Sequence, residues 1–159
     1  MDLKLATAIF VGKFITFVLK LNKSGATAAP GLYALKIDPD LIKKLASKIQ
    51  YGSIIITGTN GKTTSSRLVC DILSTKYNVI HNRQGSNLLR GIASTLLRQS
   101  TLGGKIKQNL ALWEVDEAVF PLALDQLLPK TIIALNLFRD QLDRYGEIDT
   151  IRTKWQMAI

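Results

Sequence analysis

The stretch that most constrains the fold is Ser53-Ile54-Ile55-Ile56-Thr57, followed by Gly58-Thr59-Asn60-Gly61-Lys62-Thr63-Thr64 and an amphipathic segment to about Ser74. An unbroken β-branched run reads as a strand buried on both faces. The segment after it repeats its apolar residues at helical spacing, with Leu68, Val69, Ile72 and Leu73 on one stripe. A glycine-bearing loop between a buried strand and a helix is a phosphate cradle. The glycines let backbone N–H groups wrap an anion, and the helix start adds partial positive charge. Lys62 offers a full charge to β- and γ-phosphates, and the Thr63 hydroxyl can ligate Mg²⁺. The general pattern places a further Gly where Ile56 stands, so this is a shorter variant. The plain alternative, a chance Gly-Lys-Thr turn, does not account for the strand before it and the helix after it. The chain is expected to bind ATP with magnesium.

Strands and helices alternate from there. Strands are predicted at Asn78–Ile80, Leu110–Val115 and Thr131–Leu135, the last buried like the first. Helices are predicted over Leu88 to about Gln99, Glu117 to about Leu127 with Pro121 in its first turn, and Thr150–Ile159. Before them come an apolar segment from Leu5 to Leu21, a loop from Asn22 to Gly31, and a short helix from Leu41 to about Ile49 with Asp38 as its cap. The fold class is therefore α/β: a doubly wound, mostly parallel sheet with a phosphate site, preceded by a helical segment. Such sheets bind ligands at the carboxyl ends of their strands.

Three further segments follow strands on that same edge. Trp113-Glu114-Val115-Asp116-Glu117 puts carboxylates at a strand end, and Mg²⁺ prefers hard oxygen ligands. Asp116 could equally cap the next helix. His81-Asn82-Arg83-Gln84-Gly85-Ser86-Asn87 is polar and glycine-containing, suited to a substrate or to a turn. Asn136 to Gly146 would look like a charged surface loop if it stood alone.

Composition narrows the partners. One cysteine, Cys70, and one histidine leave no disulfide framework and no four-ligand zinc site, as in a reducing cytoplasm. The net charge of +9 calls for an anionic partner. Nucleic acid is not expected, because the lysines are scattered rather than interleaved with aromatics. Lys13 and Lys20 break the N-terminal apolar segment well short of the roughly 20 residues a spanning helix needs. On a helical wheel Phe10, Phe14, Phe17, Val18 and Leu21 share one face, and Lys13, Thr16, Lys20 and Lys23 share the other. That face would pack on a core or lie on a membrane surface.

Taken together, the motifs resemble the Mur ligase family. Gly-Thr-Asn-Gly-Lys-Thr-Thr is that family's form of the phosphate loop, and Glu114 looks like its magnesium-ligating glutamate. Asn136–Gly146 is similar to its Asn-x-x-x-Asp-His-Leu-Asp-x-His-Gly segment, with Gln141 and Tyr145 in place of the two histidines. Those departures, with His81–Gly91, Glu114–Glu117 and Pro30–Leu45, are similar to the MurT-type subgroup.

The resemblance implies a helical lead-in at 1–50 and a central ATP-binding domain at 51–159. It implies Lys62 and Glu114 as catalytic residues, with Thr63 and Glu114 as metal ligands. Gly58, Thr59, Asn60, Gly61, Lys62, Thr63, Thr64, Asn136 and Asp140 would bind nucleotide. His81, Asn82, Gly85, Asn87 and Asp116 would face the substrate. The implied reaction is amidation of the D-glutamate α-carboxyl of lipid II, using ATP and Mg²⁺, with ammonia from a GatD-type glutamine amidotransferase subunit. The implied place is the cytoplasm, at the inner face of the membrane. The resemblance leaves a second metal site open, since Gln141 stands where related ligases use a histidine and the position of their carbamylated lysine falls on Trp155, one place from Lys154.

Family members also have further central segments and a closing C-terminal domain. The reading therefore takes this chain as an N-terminal portion, and expects it alone to bind nucleotide weakly, to self-associate and to form no amide. The rivals are another Mur-type ligase, folylpolyglutamate synthase-like or amino-acid-adding, and a non-catalytic nucleotide-binding fragment.

Overall fold

A computed structural model describes residues 2–22, 27–83, 87–137 and 147–158. The elements run α1 (Leu3–Leu21), α2 (Ala29–Ile37), α3 (Leu41–Ala46), β1 (Ser53–Thr57), α4 (Lys62–Ser74), β2 (Val79–His81), α5 (Leu89–Gln99), β3 (Leu110–Glu114), α6 (Phe120–Leu127), β4 (Thr131–Ala134) and α7 (Glu147–Ala158). The four strands form an all-parallel sheet in the order β2-β3-β1-β4.

Side-chain alternation along the strands builds a different core on each face. Ile55, Ile80, Ala111 and Trp113 point to one side, where α3, α5 and α6 cover them. Ile54, Ile56 and Leu112 point to the other, where α4 packs with Val69 and Cys70. The first 50 residues share the larger core: Leu5, Ala8, Ile9, Ala34, Leu41, Ile42 and Leu45 belong to the same buried cluster as Ile55 and Trp113.

Two glycines make that packing close. A Cβ on Gly31 would stand 2.0 Å from the Arg90 carbonyl oxygen, and one on Gly12 would stand 2.5 Å from Leu97 Cδ1. These contacts bring α2 and α1 against α5. Asp2 caps α1, and Lys44 bridges it to the buried Asp38 at 2.7 and 2.8 Å. Both carboxylates raise the Lys44 ammonium above its ordinary range.

Several sequence expectations are corrected. The loop after α1 is shorter than Asn22–Gly31, because Pro30 sits in the first turn of α2, where its missing N–H costs nothing. Asp38 ends α2 and accepts from the Asp40 N–H, so Asp40 rather than Asp38 is the N-cap of α3, which starts at Leu41 as expected but ends at Ala46. Leu68 and Ile72 are exposed, and α4 instead buries Ser66 and Cys70. β4 is not buried like β1. Among the described residues it stands at the edge of the sheet, paired with β1 alone, and its faces are largely open.

The N-terminal helix is also oriented differently from a simple core helix. It buries Leu5, Ala8, Ile9 and Gly12, while Phe10, Phe14 and Phe17 point away from the protein. No helix among the described residues is long and apolar enough to cross a membrane.

Candidate functional site

The crossovers change direction at β1 and β3. From β1 the chain passes through α4 to reach β2 on one side, and from β3 it passes through α6 to reach β4 on the other. Loops leaving two adjacent parallel strands in opposite directions open a crevice between them. Gly58–Thr64 follows β1 and Glu114–Asp116 follows β3, with Ile56 and Glu114 in register.

The loop Gly58–Thr64 uses glycine where its backbone turns left-handed. Gly58 and Gly61 lie at φ 142° and 81°, where a side chain is strained. A Cβ on Gly58 would also stand 2.8 Å from the Asn136 carbonyl oxygen. Gly61 is the N-cap of α4, and no side chain caps that helix, so its start is of the kind that suits an anion.

Asn136 fixes the loop from below. Its backbone carbonyl accepts from Thr59 N–H at 2.9 Å. Its side-chain oxygen accepts from Asn60 N–H at 2.9 Å, and its amide nitrogen donates to the Asn60 carbonyl at 3.0 Å. These bonds make it a clamp on the loop.

Glu114 occupies the facing position. Its two carboxylate oxygens accept from the Thr63 hydroxyl at 2.9 Å and the Ser66 hydroxyl at 3.3 Å. Its backbone is gripped by Asn82, whose amide oxygen accepts from Glu114 N–H at 2.9 Å and whose nitrogen donates to its carbonyl at 2.8 Å. Asn82 is only 4% exposed, which leaves it little to offer a substrate and makes it a positioning residue for Glu114.

Lys62 is folded back over the loop. Its ammonium donates to the Gly58 carbonyl, to the Thr59 carbonyl at 3.1 Å and to Glu117 Oε2 at 2.9 Å. Both partners of the ion pair are largely covered.

Asp116 uses its carboxylate to accept from Ala118 N–H at 3.0 Å, within the turn that leads to α6. Asn87 joins through its carbonyl, which accepts from Asp116 N–H. Thr64 stands exposed on the first turn of α4. His81 is half-buried, with Nδ1 accepting from Arg83 and Nε2 buried without a partner among the described residues. Burial pushes its pKa below the ordinary value, and the Arg83 charge adds to this. Gly85, Asp140 and the rest of 138–146 lie outside the described residues.

Ser66 and Glu117 were not assigned roles from the sequence. Ser66 lies one helical turn from Thr63, a spacing that places both hydroxyls on one side of α4. Glu117 gave no separable signal beside Glu114 and Asp116. Trp155 of α7 packs on Phe120 with the rings tilted by 53° and their centroids 4.6 Å apart, and donates to the Glu117 carbonyl at 3.0 Å.

The donor set tests a divalent cation directly. Among the described residues no group of three acidic, histidine or cysteine side chains gathers as a metal cage. One carboxylate and one hydroxyl do meet beside an anion cradle. That is the donor set Mg²⁺ accepts when water and phosphate oxygens complete its shell.

The fold and this crevice define an α/β domain with a glycine-bearing loop between β1 and α4 and a strand-end glutamate facing that loop. The Mur ligase middle domain profile matches residues 56–157, and the chain belongs to that family. It is 38% identical over 144 residues, 90% of its length, to the lipid II isoglutaminyl synthase (glutamine-hydrolyzing) subunit MurT of Staphylococcus aureus strain COL. It is 38% identical over 151 residues to the subunit of that name from Streptococcus pneumoniae strain R6. A UDP-N-acetylmuramoylalanine–D-glutamate ligase from Halalkalibacterium halodurans is 31% identical over 65% of the chain. The chain spans 32% and 33% of the length of the two MurT relatives.

Proposed function

We propose that this chain is the ATP-activating part of a Mur-type amide ligase that amidates the D-glutamate α-carboxyl of lipid II. The observation that carries the reading is the meeting of Thr63 and Glu114 beside the Gly58–Thr64 cradle. The relatives whose names concern lipid II isoglutaminyl synthase supply the substrate class. In this reading residues 51–159 form the nucleotide domain, and 1–50 are the helical lead-in that buttresses it.

The reaction has two balanced steps. A carboxylate oxygen attacks the γ-phosphorus, and the bond to the ADP oxygen breaks to leave an acyl phosphate. Ammonia from a GatD-type partner then attacks the acyl carbon, phosphate departs, and a proton is lost to give the amide. Phosphoryl transfer asks the protein for position and charge more than covalent chemistry. The loop N–H groups and Lys62 bind the phosphates, with Asn136 bracing the loop and Asp140 assigned to the nucleotide from the resemblance alone. Thr63 and Glu114 would hold Mg²⁺, which would neutralise charge on the phosphate oxygens. Asn82 keeps Glu114 at the crevice, and His81, Asn87 and Asp116 are assigned to the substrate, with Gly85 added from the resemblance alone. The work takes place in the cytoplasm at the inner face of the membrane, where a lipid-borne substrate presents its stem peptide.

The test is calorimetric titration of ATP with Mg²⁺ into the chain and into Lys62→Ala. The expected loss is about 1.5–3 kcal/mol, the scale of a charged hydrogen bond. Equal affinity would remove the nucleotide site. Lipid II amidation by the full-length ligase with its glutaminase tests the substrate.

A further inference from the structure

We propose that α1 is an interfacial membrane helix that lies flat on an anionic bilayer. The proposal stands on α1 alone, so it survives or fails separately from the nucleotide site. The helix is about 28 Å long at 1.5 Å per residue. It is fixed in rotation by Gly12 against Leu97 and by the burial of Leu5, Ala8 and Ile9. That rotation turns the opposite side fully outward. Leu3 is 76% exposed, Phe10 62%, Phe14 58%, Phe17 60% and Leu21 66%. At 100° per residue these five fall within one narrow sector, so they form a continuous apolar stripe along the whole helix. Stripes of this kind mark protein or membrane contacts.

Charge selects the membrane. The segment Leu3–Leu21 contains no Asp or Glu. Lys4 and Lys20 are exposed and lie about 100° to either side of the stripe, at the level where lipid phosphates would stand. Lys13 is already engaged, donating to the Leu97 carbonyl at 2.8 Å. Asp2, the nearest acid, is paired with Lys44 at 2.7 Å. A second copy would bring only further lysines to the rim, with no carboxylate to pair them. An aromatic stripe with a lysine on each flank matches a helix seated between headgroups and acyl chains. The overall charge of +9 adds attraction to anionic lipid.

The test is flotation of the 159-residue chain with vesicles of equimolar phosphatidylglycerol and phosphatidylcholine, and with phosphatidylcholine alone. The wild type should float with the anionic vesicles. The triple variant Phe10→Ser, Phe14→Ser, Phe17→Ser should lose at least about tenfold in partition coefficient. Lys4→Gln with Lys20→Gln should lose about fivefold per lysine on anionic vesicles only. Since all five positions are exposed, circular dichroism should be unchanged in both. Phe14→Trp should keep binding, with emission shifted to the blue on vesicle addition. Absence of the wild type from the floating fraction overturns the proposal, and so does equal flotation of the serine variant. A wild-type dimer that the serine variant dissolves, without vesicle binding, assigns the stripe to self-association instead. Lys62→Ala should float like the wild type.

Discussion

The Lys62–Glu117 ion pair makes a quantitative demand on nucleotide binding. Lys62 is held by Glu117 and two loop carbonyls, so under the proposed function it exchanges Glu117 for phosphate when nucleotide binds. Glu117→Gln removes the competing charge while keeping shape and a hydrogen-bond acceptor. Exposed ion pairs contribute up to about 1 kcal/mol, and this one is more covered than that class, so about 1 kcal/mol is the expected gain. That is about a fivefold tighter Kd for ATP. The assay is a double-mutant cycle by calorimetry on wild type, Lys62→Ala, Glu117→Gln and the double variant. In the Lys62→Ala background the Glu117 substitution should have no effect, because the group it restrained is gone. If Glu117→Gln weakens ATP binding by a similar factor, Glu117 holds Lys62 in its working position or contacts the nucleotide complex itself, and the competition argument is wrong.

Other perturbations act on separate parts. Glu114→Gln should retain the fold and bind ATP with little dependence on Mg²⁺, read from titrations at varied magnesium. His81 has a folded pKa below its ordinary 6.5. Folding stability should therefore be fully present above pH 6.5 and fall as pH drops toward the folded value, since the unfolded chain takes up the proton first. His81→Gln should flatten that slope in urea melts followed across pH. Leu128 ends α6 at φ 43° and is exposed. Leu128→Gly should stabilise the chain by about 1 kcal/mol in the same melts, by relieving left-handed strain.

The parts legible in the sequence were those where local pattern and tertiary role coincide. β1 and α4 fall where the β-branched run and the helical spacing placed them, because a central strand and the helix after a phosphate loop have little freedom to differ. The sidedness of α4 was not legible. Leu68 and Ile72 share a stripe with Val69 and Leu73 on paper, yet the sheet takes the side with Ser66, because that side also faces Glu114. β4 misled for a related reason. Thr131–Ala134 has the composition of a central strand, and nothing local records that it lies on an edge. The aromatic face of α1 was visible as a face, but its direction depends on Gly12 meeting Leu97, a contact across 85 residues that no local spacing encodes.

The two asparagines show how the site is assembled from parts whose side chains are spent on backbone hydrogen bonds. Asn136 ties the loop after β1 to the end of β4, and Asn82 ties the end of β3 to the end of β2. Each uses a donor and an acceptor on one residue's backbone, as a strand partner would, beyond the point where strand pairing stops. The four strand ends are thereby held together just where the crevice opens. An amide suits this task because it offers both hydrogen-bonding roles without a charge to desolvate. A carboxylate at residue 82 could accept from Glu114 N–H but not donate to its carbonyl, and it would set a second negative charge beside the glutamate. The sequence shows both asparagines directly after strands, the signature of a ligand contact and of a backbone clamp alike. Only the two-way bonding at each distinguishes the clamp, and under the proposed function the binding chemistry then falls to Lys62, Thr63 and Glu114.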